Sequence, residues 1–251
     1  LGMNGWGQPF DVVADCAALD ADLLVLQECW TPDGEPGTAD TVASALGYRV
    51  VLDAPLARVE YHGPAPTTSA RGWGPRPWHY RRAWRFERGR KRRRPTGSFR
   101  TEGSWSLALL SRIPVRDPET VWLGRLRPDP AERAVVRAVV DLGSRSVLVM
   151  GTHMPHLTDW SPLHYRKLAG LLPVPDVPAV LCGDMNLWGP PVRGFFPAWR
   201  RAVTGRTWPS HRPHSQIDHV LITESLRVVD ARVAERSGSD HLPVVVRLAL
   251  A

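Results

Sequence analysis

The sequence predicts an α/β protein in which two mixed β-sheets pack together and helices cover the outside. Three observations carry this. Apolar runs of strand length outnumber helical stretches. Some successive strands are joined as hairpins and others through helical segments, so the sheets are expected to be mixed. Acids, amides and imidazoles punctuate the apolar runs repeatedly, as they would if strand ends gathered at one rim. With 251 residues, 43% of them hydrophobic, the chain is read as a single domain, 1–251, with a substantial core.

In chain order, Asp11 to Asp20 has apolar residues at helical spacing, and Asp22 to Gln27 reads as a buried strand ending at Glu28. Ala39 to Leu46 reads as a helix stopped by Gly47, and Tyr48 to Leu52 as a strand. From about 62 to 104 the texture changes to Pro, Gly, Arg and aromatic residues, which predicts a long basic surface loop. Strand texture returns at Trp105 to Arg112. Ala134 to Leu142 and Ser146 to Met150 flank the turn at Gly143 and predict a hairpin. A helix over Pro162 to Leu171 follows, then strands at Ala179 to Cys182, Asp218 to Ile222, Leu226 to Val233 and Val244 to Leu250.

The net charge of +7 is unevenly placed. Between Arg71 and Arg100 there are twelve Lys or Arg and one acid, a local +11, whereas the remainder carries −4. The body is therefore mildly acidic, as expected where carboxylates surround a cation. Three cysteines (Cys16, Cys29 and Cys182) without paired spacing argue against a disulfide framework and read as small buried hydrophobes. No stretch approaches the roughly 20 apolar residues of a membrane span. The opening residues lack a basic region followed by an apolar one, so a cytoplasmic monomer without an obligate protein partner is expected.

The punctuations carry the chemistry. Glu28 would stand at a strand end, where a hard cation with oxygen ligands can sit. Asn4 offers an amide oxygen to such an ion or a hydrogen bond to a phosphate. Asp184 and Asn186 follow an apolar run two residues apart. On one strand face the acid could take a proton from water while the amide donates to a phosphoryl oxygen. His153 ends another run and could donate to a phosphoryl oxygen. Asp218 and His241 lie beside separate strands, and a carboxylate on one ring nitrogen would fix the tautomer and raise the basicity of the other. Asp240, next to His241, would reach the cation. Each punctuation is unremarkable alone; all of them together in one chain call for a common explanation.

The runs Leu24-Val25-Leu26-Gln27-Glu28, Leu109-Leu110-Ser111-Arg112-Ile113-Pro114, Gly183-Asp184-Met185-Asn186, Ile217-Asp218-His219 and Ser239-Asp240-His241-Leu242-Pro243 resemble the motifs of the endonuclease/exonuclease/phosphatase superfamily. The resemblance implies a four-layer α/β sandwich with the site at one edge between the sheets. It implies magnesium, or manganese in its place, on Glu28, with Asn4 and Asp240 at or near the metal. It also implies catalytic roles for His153, Asp184, Asn186, Asp218 and His241. The sequence departs from the pattern in having Gly5 after Asn4, and Met185 where an aromatic residue is usual.

The expected reaction is metal-dependent hydrolysis of a phosphate ester, most readily a phosphodiester of DNA or RNA. Cations alternate with rings in the basic segment, where Arg81, Arg82, Arg92 and Arg93 would neutralise phosphates and Trp84 would stack on a base. The competing expectation is an anionic membrane surface, with a lipid phosphodiesterase or phosphoinositide phosphatase activity, since Trp beside Arg also suits that interface. A catalytically silent nucleic-acid-binding module is a third.

Overall fold

A computed structural model of the chain describes residues 2–4, 9–63, 84–86, 99–126, 129–143, 145–156, 161–174 and 176–251. Fourteen strands are found among them: β1 (Gly2–Met3), β2 (Pro9–Phe10), β3 (Leu23–Pro32), β4 (Arg49–Gly63), β5 (Trp84–Phe86), β6 (Phe99–Ser111) and β7 (Arg116–Gly124), then β8 (Arg133–Leu142), β9 (Arg145–His153), β10 (Ala179–Asp184), β11 (Arg200–Arg201), β12 (Asp218–Ile222), β13 (Leu226–Val233) and β14 (Val244–Leu250). The helices are Val12–Ala17, Thr38–Leu46, Ser161–Leu171 and Gly189–Phe195.

Two large sheets organise the molecule. One has the order β3-β6-β4-β5 and is antiparallel throughout; the other has the order β11-β12-β10-β9-β8-β7, with β9 and β10 parallel and the other neighbours antiparallel. The helix Ser161–Leu171 lies in the β9–β10 crossover, as a parallel pair requires. β13 and β14 form an antiparallel ladder whose apolar side chains pack on the core between the large sheets.

The period-2 alternation of β6 makes the layering plain. Leu107 and Leu109 point into the core between the sheets, against Ala134, Val136, Val149 and Ile222. Ala108 and Leu110 point the other way, under the helices at 12–17 and 38–46 through Val12, Cys16, Ala39 and Val42. The second sheet repeats the pattern. Its outer face, through Val135, Met150 and Leu181, is covered by Tyr165 and Leu168 of one helix and Val192 of another. The result is helix, sheet, sheet, helix: the four-layer sandwich.

The structure corrects the expected element map in four places. β3 does not end at Glu28 but continues to Pro32 through a bulge between Leu26 and Cys29. β4 runs on to Gly63, well past Leu52, because β6 offers it a partner along its whole length. The flanks of the segment expected as loop are therefore strand, and Trp84–Phe86 pairs with Val59–Tyr61. β7 had no clear apolar signal, since it is an edge strand in the described sheet order and exposes residues such as Arg116 and Glu119. The free thiols Cys16 and Cys29 are buried, and Cys182 is partly so. Among the described residues, no helix is long and apolar enough to cross a membrane.

Leu109 is fully buried between the sheets. Leu109→Ala is expected to cost about 2–5 kcal/mol of unfolding free energy by leaving a cavity. Urea denaturation checks this, and a loss below 1 kcal/mol would contradict the packing described.

Candidate active site

Strand register builds the centre of the site. Asp184, the last residue of β10, is paired across the parallel ladder with His153, the last residue of β9. Across the antiparallel ladder it is paired with Asp218, the first residue of β12. An imidazole and two carboxylates thus form one row along the rim of the six-stranded sheet. His241 comes from the loop before β14, and its Nδ1 lies 2.9 Å from Asp218 Oδ2 and 3.1 Å from Oδ1. Ligand atoms of Asp184, Asp218 and His241 all lie within 4.8 Å of one another.

Beyond Asp184 the chain turns sharply. Asn186 takes a left-handed backbone (φ 48°), which Asn tolerates better than most residues. Its backbone N–H donates to Asp184 Oδ1 at 2.7 Å, and its side-chain amide donates to Asp184 Oδ2 at 3.2 Å and to the Met154 carbonyl at 2.8 Å. Asp184 and Asn186 are brought together as expected, but by a turn rather than by alternation along a strand. The amide hydrogens of Asn186 face protein acceptors, so its evident task is to orient the Asp184 carboxylate. Met185 is fully buried, and its carbonyl accepts the Tyr165 hydroxyl.

Glu28 arrives from the other sheet. It occupies the β3 bulge with φ 55°, a conformation that costs a non-glycine residue about 1–3 kcal/mol and re-aims its side chain. The residue is solvent-accessible and lines a cleft of about 1210 Å³ that also reaches Asp184, Asp218, Asp240 and His241. The surrounding protein mass pushes its carboxyl up to about 7, with the nearby Asp240 carboxylate adding to the rise and His241 and Arg133 opposing it. Asn4 is buried, and its amide donates to the Gly238 carbonyl at 3.0 Å. This ties it to the Ser237–His241 loop that carries Asp240.

The electrostatics sort the two imidazoles. His153 is driven well below its ordinary range by burial, then by the positive charges of Arg133 and His241, so it is neutral. For His241 burial works in the same direction but is outweighed by Asp218, through both charge and hydrogen bond, and by Asp184 and Asp240. The ring is held well above its ordinary range and is charged. Asp184 is pushed up to about 8, by burial first and then by Asp218, against the pull of His241 and the Asn186 N–H. In both raised acids, Glu28 and Asp184, burial and neighbouring carboxylates outweigh the positive charge of His241.

Several supporting residues were invisible in the sequence. Arg133 is buried, bonded through Nε to Asp129 at 2.7 Å, and donates to the His153 carbonyl at 3.1 Å. A lone arginine heading the apolar run Ala134-Val135-Val136 was the available signal. Asp15 accepts the Gly238 N–H at 2.6 Å and the Ser237 hydroxyl at 2.8 Å, which anchors the His241 loop to the first helix. Trp188 stands half exposed two residues beyond Asn186. His211 and His214, in the run between Trp208 and Ser215, are not among the residues the register brings to the row. Of the expected substrate contacts, Arg81, Arg82, Arg92 and Arg93 lie outside the described residues. Trp84 heads β5, with its side chain outside the description.

Gly183 has φ +141°, and a Cβ there would fall 1.9 Å from the Thr152 carbonyl oxygen. Gly183→Ala is expected to destabilise the protein by more than about 2 kcal/mol by prising β9 from β10. A urea midpoint equal to wild type would contradict the register described.

The family model of the endonuclease/exonuclease/phosphatase family matches residues 3–241. No curated protein sequence matches the chain. Among solved structures, an endonuclease/exonuclease/phosphatase family protein of Leptotrichia buccalis superposes with a TM-score of 0.63 at 12% identity, covering 95% of this chain and 91% of that one. The human Nocturnin catalytic domain, solved with a sulfate anion, gives 0.61 at 15% identity, covering 96% and 85%. An endonuclease/exonuclease/phosphatase from Beutenbergia cavernae gives 0.60 at 19% identity, covering 95% of this chain and 65% of that one. At these identities the structures speak for the fold; the match of the family model over nearly the whole chain speaks for membership. The chain belongs to the endonuclease/exonuclease/phosphatase family.

Proposed function

We propose that this protein is a magnesium-dependent phosphodiesterase acting on nucleic acid. The carrying observation is the row His153, Asp184, Asp218 with the charged His241 across it, opposite Glu28 in the same cleft.

The residues fit a hard divalent cation. Glu28 and Asp240 would supply carboxylate oxygens, Asn4 is tied to the loop that carries Asp240, and Glu28 and Asp184 are raised by burial and then by neighbouring carboxylates. When bound, the ion supplies Lewis acidity to a non-bridging phosphoryl oxygen and to the leaving oxygen. Once cation binding has displaced its proton, Asp184, aimed by Asn186, would accept the proton of the attacking water. His241, held charged by Asp218, donates a hydrogen bond to the phosphoryl oxygens as negative charge builds. His153, kept neutral, sits 3.6 Å from Asp184 Oδ2 and offers a second, uncharged imidazole at that end of the row.

The nucleic-acid part of the reading is supported by the twelve Lys or Arg between residues 71 and 100 and their interleaved rings, and by the half-exposed Trp188 two residues after Asn186. Parallel assays on plasmid, single-stranded DNA, RNA and sphingomyelin vesicles, with and without EDTA, test it. Chelator-sensitive cleavage of DNA or RNA supports it, and cleavage confined to sphingomyelin overturns the substrate class. Asp184→Asn and His241→Ala are expected to lower kcat by about 10²–10⁴-fold with the fold intact. Wild-type rates in both would refute the assignment.

The raised acids also set a pH dependence. In the cation-free protein, Glu28 and Asp184 hold protons that the unfolded chain releases from about pH 4 upward. Stability from these groups is therefore full in acid and lost as pH rises through 7 and 8. His241, also raised, runs the same way, while His153, lowered, contributes above about pH 6.5 and loses stability below it. Binding of Mg²⁺ must displace the carboxyl protons. Calorimetry at pH 7 in two buffers of different ionisation enthalpy is expected to show proton release, and the Mg²⁺-induced rise in Tm should grow from pH 6 to pH 8.5. Binding without proton release would contradict the electrostatics described.

A further inference from the structure

The dyad of Asp218 and His241 joins segments 23 residues apart, and one residue outside both bridges them. Thr207 is fully buried. Its Oγ1 accepts the backbone N–H of Ile217 at 3.2 Å and of Asp218 at 3.3 Å, at the entry to β12. Its carbonyl accepts the N–H of Leu242, the residue after His241, at 2.8 Å. Its own N–H donates to the Ser215 carbonyl at 2.8 Å, which fixes it against the far side of its loop. Ile217 passes the connection on, since its carbonyl accepts the Met185 N–H at 2.8 Å, inside the Asp184–Asn186 turn. Three residues further, Ser210 donates its N–H to the Asp240 carbonyl at 2.7 Å and its hydroxyl to the Ser239 carbonyl at 2.6 Å. The polar turns that carry Asp184, Asp218 and His241 are thus joined through Thr207 and Ser210 rather than through a sheet ladder alone.

We infer that Thr207 is a positioning residue of the hydrolytic reaction, setting the distance between Asp218 and His241 by holding both backbones on one side chain and one carbonyl. The inference rests on the phosphodiesterase reading above. Productive geometry tolerates about 0.5 Å and 10–20°, and a misplacement of about 1 Å can cost 10²-fold in rate. A loop residue that bonds both halves of the dyad therefore controls more than its own stability. Nothing in Thr207-Trp208-Pro209-Ser210 signals this in the sequence, where the run reads as connecting loop.

The test compares Thr207→Val, which keeps the shape and removes the acceptor, with Thr207→Ser, which keeps it. The assay uses bis(p-nitrophenyl) phosphate with Mg²⁺, a diester without bases or a polymer backbone. Thr207→Val is expected to lower kcat by about 10–100-fold with KM and the Mg²⁺ activation constant within twofold, and Thr207→Ser to restore most of kcat. In an Asp218→Ala background the same Val substitution should change kcat by less than about twofold, because the partner it positions is gone. Wild-type kcat in Thr207→Val, or an equal loss in both backgrounds, overturns the role. If Thr207→Val does not fold, Ser210→Ala serves instead, with lowered kcat at unchanged KM supporting the inference and wild-type kcat overturning it. Nitrogen-15 imidazole NMR of His241 reads the dyad without turnover. A Nδ1–H signal broadened in Thr207→Val and recovered in Thr207→Ser supports the inference, and an unchanged signal overturns it. Should wild type cleave neither this diester nor the natural polymers, the phosphodiesterase reading falls, while the imidazole signal still decides what Thr207 holds.

Discussion

The placement of β10 governs this molecule. It is paired in parallel to β9 on one side and antiparallel to β12 on the other. That dual register lines up the last residue of β9, the last of β10 and the first of β12, so three polar side chains share a row without any loop having to deliver them. A slip of one residue on either side would turn a row member toward the opposite face. Gly183 is where the cost of this alignment is visible, with its Cα pressed against the Thr152 carbonyl and no room for a side chain.

Everything else at the site is brought to that row by less regular means. A bulge presents Glu28 from the facing sheet, a left-handed turn folds Asn186 back on Asp184, and hydrogen bonds to Asp15, Thr207 and Ser210 hold the loop from Ser237 to Leu242. The rigid part sets position and the irregular part sets orientation. The electrostatic consequence is a division of labour: burial, with Arg133 and His241 nearby, keeps one imidazole neutral, while carboxylates overcome burial and charge the other.

The same division explains what could be read from the chain. The strands Asp218–Ile222, Leu226–Val233 and Val244–Leu250 and the hairpin around Gly143 were legible because apolar periodicity is a local property. The identities of Glu28, Asp184, Asp218 and His241 as candidates were legible because acids and imidazoles abutting apolar runs stand out, and because the motifs resemble a family. The β3 bulge was not, since it depends on what Ser106 and Ala108 of β6 pair with. β7 was hidden by its exposed charges, and the helix Gly189–Phe195 by its Gly-Pro-Pro start, although proline is welcome in a first turn. Thr207 escaped notice because its partners are backbone atoms distant in sequence, and Arg133 because its tie to the site is the distant His153 carbonyl, which no residue pattern displays.

The central proposal is that a divalent ion held by Glu28 and Asp240 lies close to the two histidines, which face the phosphate rather than ligate the ion. Paramagnetic broadening by Mn²⁺ measures this most directly. Substoichiometric Mn²⁺ should broaden the imidazole signals of both His153 and His241 in wild type and neither at the same concentration in Glu28→Gln. Both signals remaining sharp at saturating Mn²⁺, or broadening that is indifferent to residue 28, would contradict it.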